Sequence, residues 1–255
     1  MRLFVTGFTS SFVKVMLSQL KDLEILEVKS TTNRNSKEMF FDISTIDNFK
    51  ASDYILHSGW NMEERSLLES EKINVQGTIN FFESLSPLQK KNFIFVSTIA
   101  AYPETKSVYG SHKLKCEEYI IANGGRVIKL GILYEPNSNE LKFLENIKSY
   151  ANKLPVIPNF SGNKKIYKIT NVENLQVYFN SINEQKPNTI YVCTEEQPIS
   201  FDQLLHDILG INKLTIYFPL NLGYFIYRII NKIFKNLKIN VDSFEYIRGM
   251  KKNDF

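Results

Sequence analysis

The stretch MRLFVTGFTSSF, residues 1–12, starts with a short apolar run that leads into a turn carrying one glycine, Gly7. An apolar run that ends at a glycine and small polar residues predicts a buried strand followed by a turn into a helix. Turns of this kind hold dinucleotides when they carry three glycines. The opening residues therefore predict the first unit of an α/β sheet, and they leave open whether a dinucleotide still binds there.

The rest of the chain repeats the alternation of short apolar runs and longer amphipathic segments. The strand candidates are RLFVTG, EILEVKS, DYILHSG, NFIFVST, RVIKLGILY and TIYVCT. Helices are predicted at about residues 11–20, 63–85 and 109–122. Several strands lack polar alternation, which is typical of parallel strands covered on both faces. The sequence therefore predicts a Rossmann-like, doubly wound parallel α/β sheet.

The alternation of strand and helix patterns changes after residue 135, where a Pro-rich stretch, LPVIPNFSGN, follows a helical segment. We expect a dinucleotide-binding core over residues 1–135, completed by about 166–194. Residues 136–165 and 195–255 then form a smaller lobe, interleaved with the sheet, that binds substrate or caps the cleft. In a doubly wound sheet, ligands bind beyond the carboxyl ends of the strands.

Composition excludes several classes of protein. With 255 residues, 43% hydrophobic and 23% charged, the chain is long and apolar enough to bury a sizeable core. The net charge of +4 is not concentrated on one face, and its nearest basic run, KKIYK, is typical of a solvated edge, so we expect no nucleic acid partner. Cys116 and Cys193 lie far apart and indicate reduced thiols in a cytoplasmic protein. We expect no metal site, signal peptide or membrane span.

The strongest local signal is VYGSHKLKCEEY, in which Tyr109 and Lys113 are four residues apart. On a helix this spacing places both side chains on one face, where an ammonium group lowers the pKa of a phenol. Upstream, the strand NFIFVS ends at Ser97 and Thr98. A hydroxyl, a tyrosine and a lysine that meet at a strand end form a site for proton transfer to or from a carbonyl or alcohol.

An ordered series of motifs resembles the extended short-chain dehydrogenase/reductases, also called the NAD-dependent epimerase/dehydratase family. The motifs are FVTGFTSSFV, FFDIS, DYILHSG, NVQGT, FVSTIAAY, VYGSHK, IKLGILYEP, YKITNVENL and NTIYVCTEEQPISFDQLLHDI, spanning roughly residues 1–212. The resemblance implies hydride exchange between a nicotinamide cofactor and a sugar carbon, usually in a nucleotide-linked sugar. It implies that Tyr109 moves the proton, that Lys113 holds the cofactor ribose, and that Thr98 orients the substrate oxygen.

The resemblance also implies the remaining binding residues. Cofactor contacts are expected at Gly7, Thr9, Ser10, Ser11, Phe12, Asp42, Ile43, His57, Ser58, Gly59, Asn74, Ser97, Tyr109 and Lys113. Substrate contacts are expected at Thr98, Ile99 and Tyr134. A homodimer through the helices bearing NVQGTINFFES and YGSHKLKCEEYI is implied as well.

Three departures from the family pattern bear on the cofactor. Ser10 and Val13 stand where the second and third glycines are usual, so we expect the pyrophosphate to be held with reduced affinity. No carboxylate follows EILEV, and hydroxyls and Arg34 lie there instead, which suits the 2′-phosphate of NADP, with NAD as the alternative.

Two functions remain open from the sequence. The first is a keto-sugar reductase or epimerase acting on a nucleotide-linked sugar, in surface polysaccharide or deoxysugar biosynthesis. The second is a cofactor-binding regulatory or assembly protein of the same fold that has lost turnover, which the single glycine of the turn favours. The basic amphipathic tail, residues 214–240, predicts a helix packed over the cleft or against a partner, and a peripheral membrane contact is the less favoured alternative.

Overall fold

The computed structural model describes residues 2–7, 10–19, 27–30, 48–62, 66–135, 142–223, 225 and 247–248. Predicted cofactor contacts at Thr9, Arg34, Asp42 and Ile43 lie outside these residues, as does most of the basic tail. The helix predicted from residue 214 onwards was wrong at its start, because Thr215–Tyr217 form a short strand that pairs with Ile157–Asn159. The structure describes the backbone of Ser11 but not its side chain.

The described elements alternate between strands and helices along most of the chain. The strands are β1 (Arg2–Thr6), β2 (Glu27–Ser30), β3 (Asp53–His57), β4 (Phe93–Thr98), β5 (Arg126–Leu130), β6 (Ile132–Leu133), β7 (Ile157–Asn159), β8 (Ile169–Thr170), β9 (Ile190–Cys193) and β10 (Thr215–Tyr217). The helices are α1 (Ser11–Gln19), α2 (Leu67–Ser70), α3 (Gly77–Glu83), α4 (Pro87–Lys91), α5 (Val108–Ala122), α6 (Lys142–Lys153), α7 (Val172–Asn180) and α8 (Phe201–Gln203). A π-helical turn, Glu71–Gln76, joins α2 to α3, and a second one, Leu204–Ile208, continues α8.

The main sheet has six strands in the order β2-β1-β3-β4-β5-β9, and every neighbouring pair is parallel. All six strands predicted from the apolar runs are present in it. β1 lies between β2 and β3, so successive strands are added on both sides of it, which is the topology of a doubly wound sheet. The predicted α/β fold class is confirmed.

Strand residues alternate between two hydrophobic clusters, one on each face of the sheet. Leu3 and Val5 of β1 pack in one cluster with α1 and α7, whereas Phe4 between them packs in the other with α3 and α5. This period of two is what a pleated strand imposes when both of its faces are covered. The strands read as continuous apolar runs because both of their faces are covered.

The predicted strand RVIKLGILY is split at Gly131. Its first part, β5, belongs to the main sheet, and its last part, β6, pairs with β8 outside it. A side chain at position 131 would lie 2.2 Å from the carbonyl oxygen of Lys168, so the two backbones touch there. The single long strand of the sequence interpretation was therefore wrong, because a glycine lets the chain leave the sheet and cross over Lys168.

A third hydrophobic cluster lies under the elements outside the main sheet. It includes Ile132, Ile157, Leu204 and Leu205, together with Ile99 from the loop that follows β4. The small elements thus pack directly against the carboxyl end of the sheet. The exact division into residues 1–135, 166–194 and the smaller lobe stays a prediction.

Helix α5 is pressed against the loop that follows β4. A methyl group at Gly110 would lie 2.4 Å from the carbonyl oxygen of Ala100 and 3.0 Å from Oγ1 of Thr105. The helix starts at the cap residue Ser107, whose hydroxyl accepts a hydrogen bond of 2.9 Å from the N–H of Gly110. The glycine of the VYGSHK motif therefore allows Tyr109 and Lys113 to lie beside the end of β4.

Replacing Gly110 by alanine is expected to destabilise the protein, because the methyl group meets a backbone oxygen that cannot turn away. We expect a loss of about 1–3 kcal/mol in the free energy of unfolding, the usual cost of overpacking. The matched control is Gly77→Ala, since Gly77 is also helical and its added methyl group meets nothing within 4 Å. That control should gain up to about 1 kcal/mol. Urea unfolding of both variants measures the contrast, and equal stabilities would contradict the close approach of α5.

Candidate functional site

The turn after β1 rests directly on the end of β3. Gly7 has a φ of 67°, and a side chain there would lie 2.7 Å from the backbone nitrogen of Gly59 and from the carbonyl oxygen of Ser58. The hydroxyls of Ser10 and Ser58 are 3.3 Å apart. Four predicted cofactor contacts, Gly7, Ser10, Ser58 and Gly59, are thus brought together at the carboxyl edge of the sheet.

Ser10 and Val13 are accommodated without opening the turn. The Ser10 hydroxyl accepts a hydrogen bond of 3.2 Å from the N–H of Val13, so it caps the first turn of α1. Val13 is fully buried among Leu3, Val5 and Met16. Its branched side chain therefore fills the space between helix and sheet that a glycine usually keeps small.

Phe12 packs in the same hydrophobic cluster as Val13. Any contact that it makes with a cofactor would accordingly come from its backbone at the start of α1. Helix N-termini present N–H groups and a positive dipole end, which suit a pyrophosphate.

His57 is enclosed in the core. Its Nδ1 lies 2.8 Å from Oγ1 of Thr6 and its Nε2 lies 3.0 Å from Oγ1 of Thr78, while Phe93 and Phe95 stack on the ring. Burial, with the charge of Lys113 adding to it, lowers the pKa of His57 to about 3, so the ring is neutral. The same Thr6 hydroxyl accepts a hydrogen bond of 2.9 Å from the N–H of Gly59. His57 thus braces Thr6, which holds Gly59 at the turn.

Asn74 holds the segment that follows Gly59. Its side chain accepts a hydrogen bond of 2.7 Å from the N–H of Asn61 and donates one of 3.0 Å to the carbonyl of Asn61. Asn74 is buried and lies in the π-helical turn between α2 and α3. Single π-helical turns within helices are frequent at functional sites. Here the π-helical turn positions the Asn74 amide, which holds the backbone of Asn61 next to Trp60.

The predicted catalytic group lies at the end of β4 and the start of α5. Nζ of Lys113 donates a hydrogen bond of 2.7 Å to the carbonyl of Val96 and lies 5.9 Å from the centre of the Tyr109 ring. Thr98, two residues beyond Val96, accepts a hydrogen bond of 3.2 Å at Oγ1 from the N–H of Ala100. Burial lowers the pKa of Lys113 to about 7, and the negative charge of Glu117 opposes this shift.

A buried charged network supports this end of β4 from behind. Glu117 accepts a short hydrogen bond from Ser97 and forms an ion pair of 3.0 Å with Lys129 of β5. Nζ of Lys129 also donates a hydrogen bond of 2.6 Å to the carbonyl of Ala101. Burial raises the pKa of the Glu117 carboxyl, and the facing Lys129 ammonium opposes that rise. Ser97, a predicted cofactor contact, therefore turns its hydroxyl towards this network.

The predicted substrate contacts occupy different surroundings. Ile99 is fully buried in the hydrophobic cluster under the small elements, and Thr98 is 6% exposed. Tyr134 is half-buried after β6, where its N–H donates a hydrogen bond of 2.8 Å to the carbonyl of Thr170. Direct substrate contact by each of them stays a prediction.

Sequence reasoning missed Trp60, Glu117 and Lys129. Glu117 lies four residues beyond Lys113, so helical spacing places it on the same face. Lys129 interrupts an apolar strand, which is the mark of a buried charge in need of a partner. Trp60, the chain's single tryptophan, follows the DYILHSG motif directly, but nothing in the pattern says that it lies against Tyr109.

Two searches of the described residues bear on metals and membranes. Among those residues, histidine, cysteine, aspartate and glutamate side chains do not gather in threes as a metal ion would need. None of the helices that the structure describes is long and apolar enough to cross a bilayer.

The geometry supports proton transfer beside a dinucleotide-type turn. A phenol lies near a buried ammonium group, and a threonine hydroxyl lies at the end of the strand to which that ammonium is bonded. An ammonium ion favours the phenolate form of a nearby tyrosine, which is what a general acid and base at neutral pH requires.

Comparison with known proteins establishes the fold. No protein-family model matches the chain, and no curated protein sequence matches it either. Among solved structures, a dTDP-4-dehydrorhamnose reductase from Clostridium acetobutylicum is similar with a TM-score of 0.64 and 18% identity, covering 86% of this chain and 84% of that one. A UDP-glucose 4-epimerase from Thermotoga maritima, with UDP-glucose, has a TM-score of 0.60 and 17% identity, with 86% of each chain covered.

A third similar structure extends over nearly the whole chain. It is a short-chain dehydrogenase/reductase superfamily protein from Agrobacterium tumefaciens with bound NAD, with a TM-score of 0.60, 13% identity, and coverage of 99% of this chain and 98% of that one. The chain therefore has the fold of the short-chain dehydrogenase/reductases, as the motif series implied.

The buried, neutral His57 is expected to make stability depend on pH. Its folded pKa, about 3, lies below the ordinary value of 6.5, so its stabilising contribution is present above pH 6.5 and is lost as the pH falls towards 3. The free energy of unfolding should fall by about 1.4 kcal/mol per pH unit from this group alone.

The test is urea unfolding at pH 7 and pH 5 of the wild type, His57→Gln and His206→Gln. His206 is exposed and serves as the matched control. The wild type and the control should lose about 2 kcal/mol more than His57→Gln over this range. The same pH dependence in all three proteins would show that His57 accepts a proton freely in the folded state.

Proposed function

We propose that this chain is an NAD(P)-dependent oxidoreductase or epimerase acting on a nucleotide-linked sugar. The observation that carries the proposal is the position of Lys113, whose ammonium lies 5.9 Å from the centre of the Tyr109 ring and is hydrogen-bonded to Val96 near the end of β4, two residues before Thr98. The glycine turn that follows β1 rests on the end of β3, the strand beside β4, and in this proposal it holds the dinucleotide.

The residues at the turn fit a dinucleotide. Without a side chain, Gly7 lets the turn lie directly on the backbone of Ser58 and Gly59. A hydrogen bond of 2.8 Å from the N–H of Ser10 to the carbonyl of Gly7 closes the turn, and α1 starts at the next residue, Ser11. The backbone at the start of α1 would hold the pyrophosphate. A nicotinamide dinucleotide bound there supplies or takes the hydride.

In this proposal each residue of the catalytic group has one task. The Tyr109 hydroxyl gives a proton to the substrate oxygen, or takes one from it. Lys113 stays charged beside Tyr109, lowers the pKa of the phenol and holds the cofactor ribose. The Thr98 hydroxyl orients the substrate oxygen, and the network of Glu117 and Lys129 keeps the loop after Thr98 in place.

We propose NADP as the cofactor, with NAD as the alternative. The support is the sequence after EILEV, where hydroxyls and Arg34 replace the usual carboxylate. Arg34 lies outside the described residues, and one similar structure holds NAD. The binding experiment described below therefore tests which of the two dinucleotides is preferred.

The substrate class is proposed from the motif series and from the similar structures. Two of these structures are a reductase of a dTDP-linked sugar and an epimerase of a UDP-linked sugar. We favour reduction of a keto-sugar, in surface polysaccharide or deoxysugar biosynthesis.

We also propose a cytoplasmic homodimer. The cysteines Cys116 and Cys193 are buried, free thiols, as a reducing compartment allows. Pairing of two copies through α3 and α5 would cover exposed apolar side chains at the start of this helical layer, including Leu67, Leu68 and Val108. The basic tail is proposed to pack over the cleft.

A second candidate is a cofactor-binding regulatory or assembly protein without turnover. The observation that favours it is the eroded glycine turn, where Ser10 and Val13 stand in place of two glycines. The cap that Ser10 places on α1 points the same way, because it engages an N–H group near a pyrophosphate site. The two candidates differ in turnover and share cofactor binding.

Titration with NADPH and NADH is expected to quench the fluorescence of Trp60, which lies 5.8 Å from the Tyr109 ring and is the chain's single tryptophan. NADPH should bind more tightly than NADH if a 2′-phosphate is recognised. Failure of both to bind would rule out the enzyme. Binding without turnover on a panel of nucleotide sugars would favour the regulatory protein.

Tyr109→Phe is expected to lower turnover by about 10² to 10⁴-fold, because it removes the proton-transferring hydroxyl. NADPH affinity should change little, since the ring remains. The matched control is Tyr119→Phe, which removes a hydroxyl from the same helix, where it contacts Glu83 at the surface. Steady-state rates on the accepted sugar measure both, and full turnover in Tyr109→Phe would overturn the assignment.

A further inference from the structure

Trp60 is held by its two neighbours in the chain. The N–H of Gly59 is bonded to Thr6, and both backbone groups of Asn61 are bonded to the side chain of Asn74. Thr6 and Asn74 are buried. Because the backbone is fixed on either side, the position of the Trp60 ring is set by the core of the sheet rather than by a loose loop.

The ring covers the ammonium group of Lys113. Nζ lies 4.0 Å from the centre of the Trp60 ring and 4.5 Å from the centre of the Phe95 ring. Trp60 also meets the Tyr109 ring edge to face, with centres 5.8 Å apart and an interplanar angle of 88°. The ammonium therefore lies among three aromatic rings, with the Val96 carbonyl as its hydrogen-bond acceptor.

Among the titratable groups that the structure describes around Lys113, none is a carboxylate paired with it alone. His57, on the strand side, is neutral, and the Cys116 thiol has a pKa that burial raises to about 12, so it is also neutral. Glu117 is the nearby carboxylate on the same helix, but it is bound by Lys129 and by Ser97. The aromatic faces next to Lys113 carry the negative potential that a dedicated carboxylate would otherwise supply.

We propose that Trp60 is a positioning residue: its ring holds the Lys113 ammonium against the Val96 carbonyl and keeps it charged beside Tyr109. A desolvated ammonium ion over an indole ring is stabilised enough to change its protonation equilibrium by tenfold or more. Burial acts in the opposite direction and lowers the pKa of Lys113 to about 7. The ring thus maintains the charge at the pH where burial would remove it.

The inference deepens the proposed function, and it rests on that function only for its catalytic consequence. A charged Lys113 favours the phenolate form of Tyr109, so loss of the ring's negative potential would shift the pH profile of proton transfer towards higher pH. The contact between Trp60 and Lys113 is present without a cofactor, so it can be tested in the ligand-free protein.

The sharpest test replaces tryptophan by fluorinated tryptophan during expression. Because Trp60 is the chain's single tryptophan, the exchange changes this site alone. Fluorine withdraws electron density from the ring face while nearly preserving its shape. The readout is the pKa of Lys113 in the ligand-free protein, followed by NMR of labelled lysine side chains, with Lys113→Arg used to assign the signal.

We expect the pKa of Lys113 to fall stepwise with the number of fluorines, by about one unit for three. Trp60→Phe should keep most of the wild-type value, and Trp60→Leu should lower it. An unchanged pKa across the fluorinated series would overturn the proposal even if Trp60→Leu fails to fold. Thermal unfolding of each fluorinated protein confirms that the fold is retained.

The outcome is distinct from that of the proposed function. Failure of both NADPH and NADH to bind would rule out the enzyme, while the fluorinated series would still decide what Trp60 does to Lys113. Conversely, turnover could be normal while the pKa of Lys113 does not change with fluorination. That result would support the proposed enzyme and reject the role of Trp60.

Discussion

The backbone of α5 passes so close to the carbonyl of Ala100 that a side chain at position 110 would lie 2.4 Å from it. This contact decides where Tyr109 and Lys113 lie, because they flank Gly110 on the same helix. Ser107 starts that helix, and Lys113 fastens it to the carbonyl of Val96 inside the sheet. The candidate site is therefore a product of one tight helix-to-loop approach, with the polar groups arranged around it.

The second constraint is the burial of charge behind the strand end. Glu117 and Lys129 are 2% and 5% exposed, and taking such groups out of water costs more than their attraction alone repays unless their hydrogen bonds are satisfied. Here Ser97 and the Ala101 carbonyl satisfy them. The network joins β4, α5, β5 and the loop after β4. It therefore fixes the geometry of the residues next to Thr98.

The sheet could be predicted because its signal is local. Buried parallel strands need continuous apolar runs, and all six runs in the sequence became strands of the main sheet. The split at Gly131 was missed, since a crossing backbone at Lys168 leaves no mark in the run itself. The spacing of Tyr109 and Lys113 predicted their shared face, but it could not show that Lys113 would be covered by Trp60, which is far from it in the chain.

By itself, the sequence determined the α/β fold, the segments that form its strands and the helical face shared by Tyr109 and Lys113, because periodicity and spacing act between near neighbours. The tertiary structure decided what surrounds those side chains. It buried His57 as a neutral brace, turned Ser97 towards Glu117 and placed an indole ring over the ammonium group. These outcomes depend on contacts between segments many residues apart, which form when the sheet assembles and which local sequence patterns do not encode.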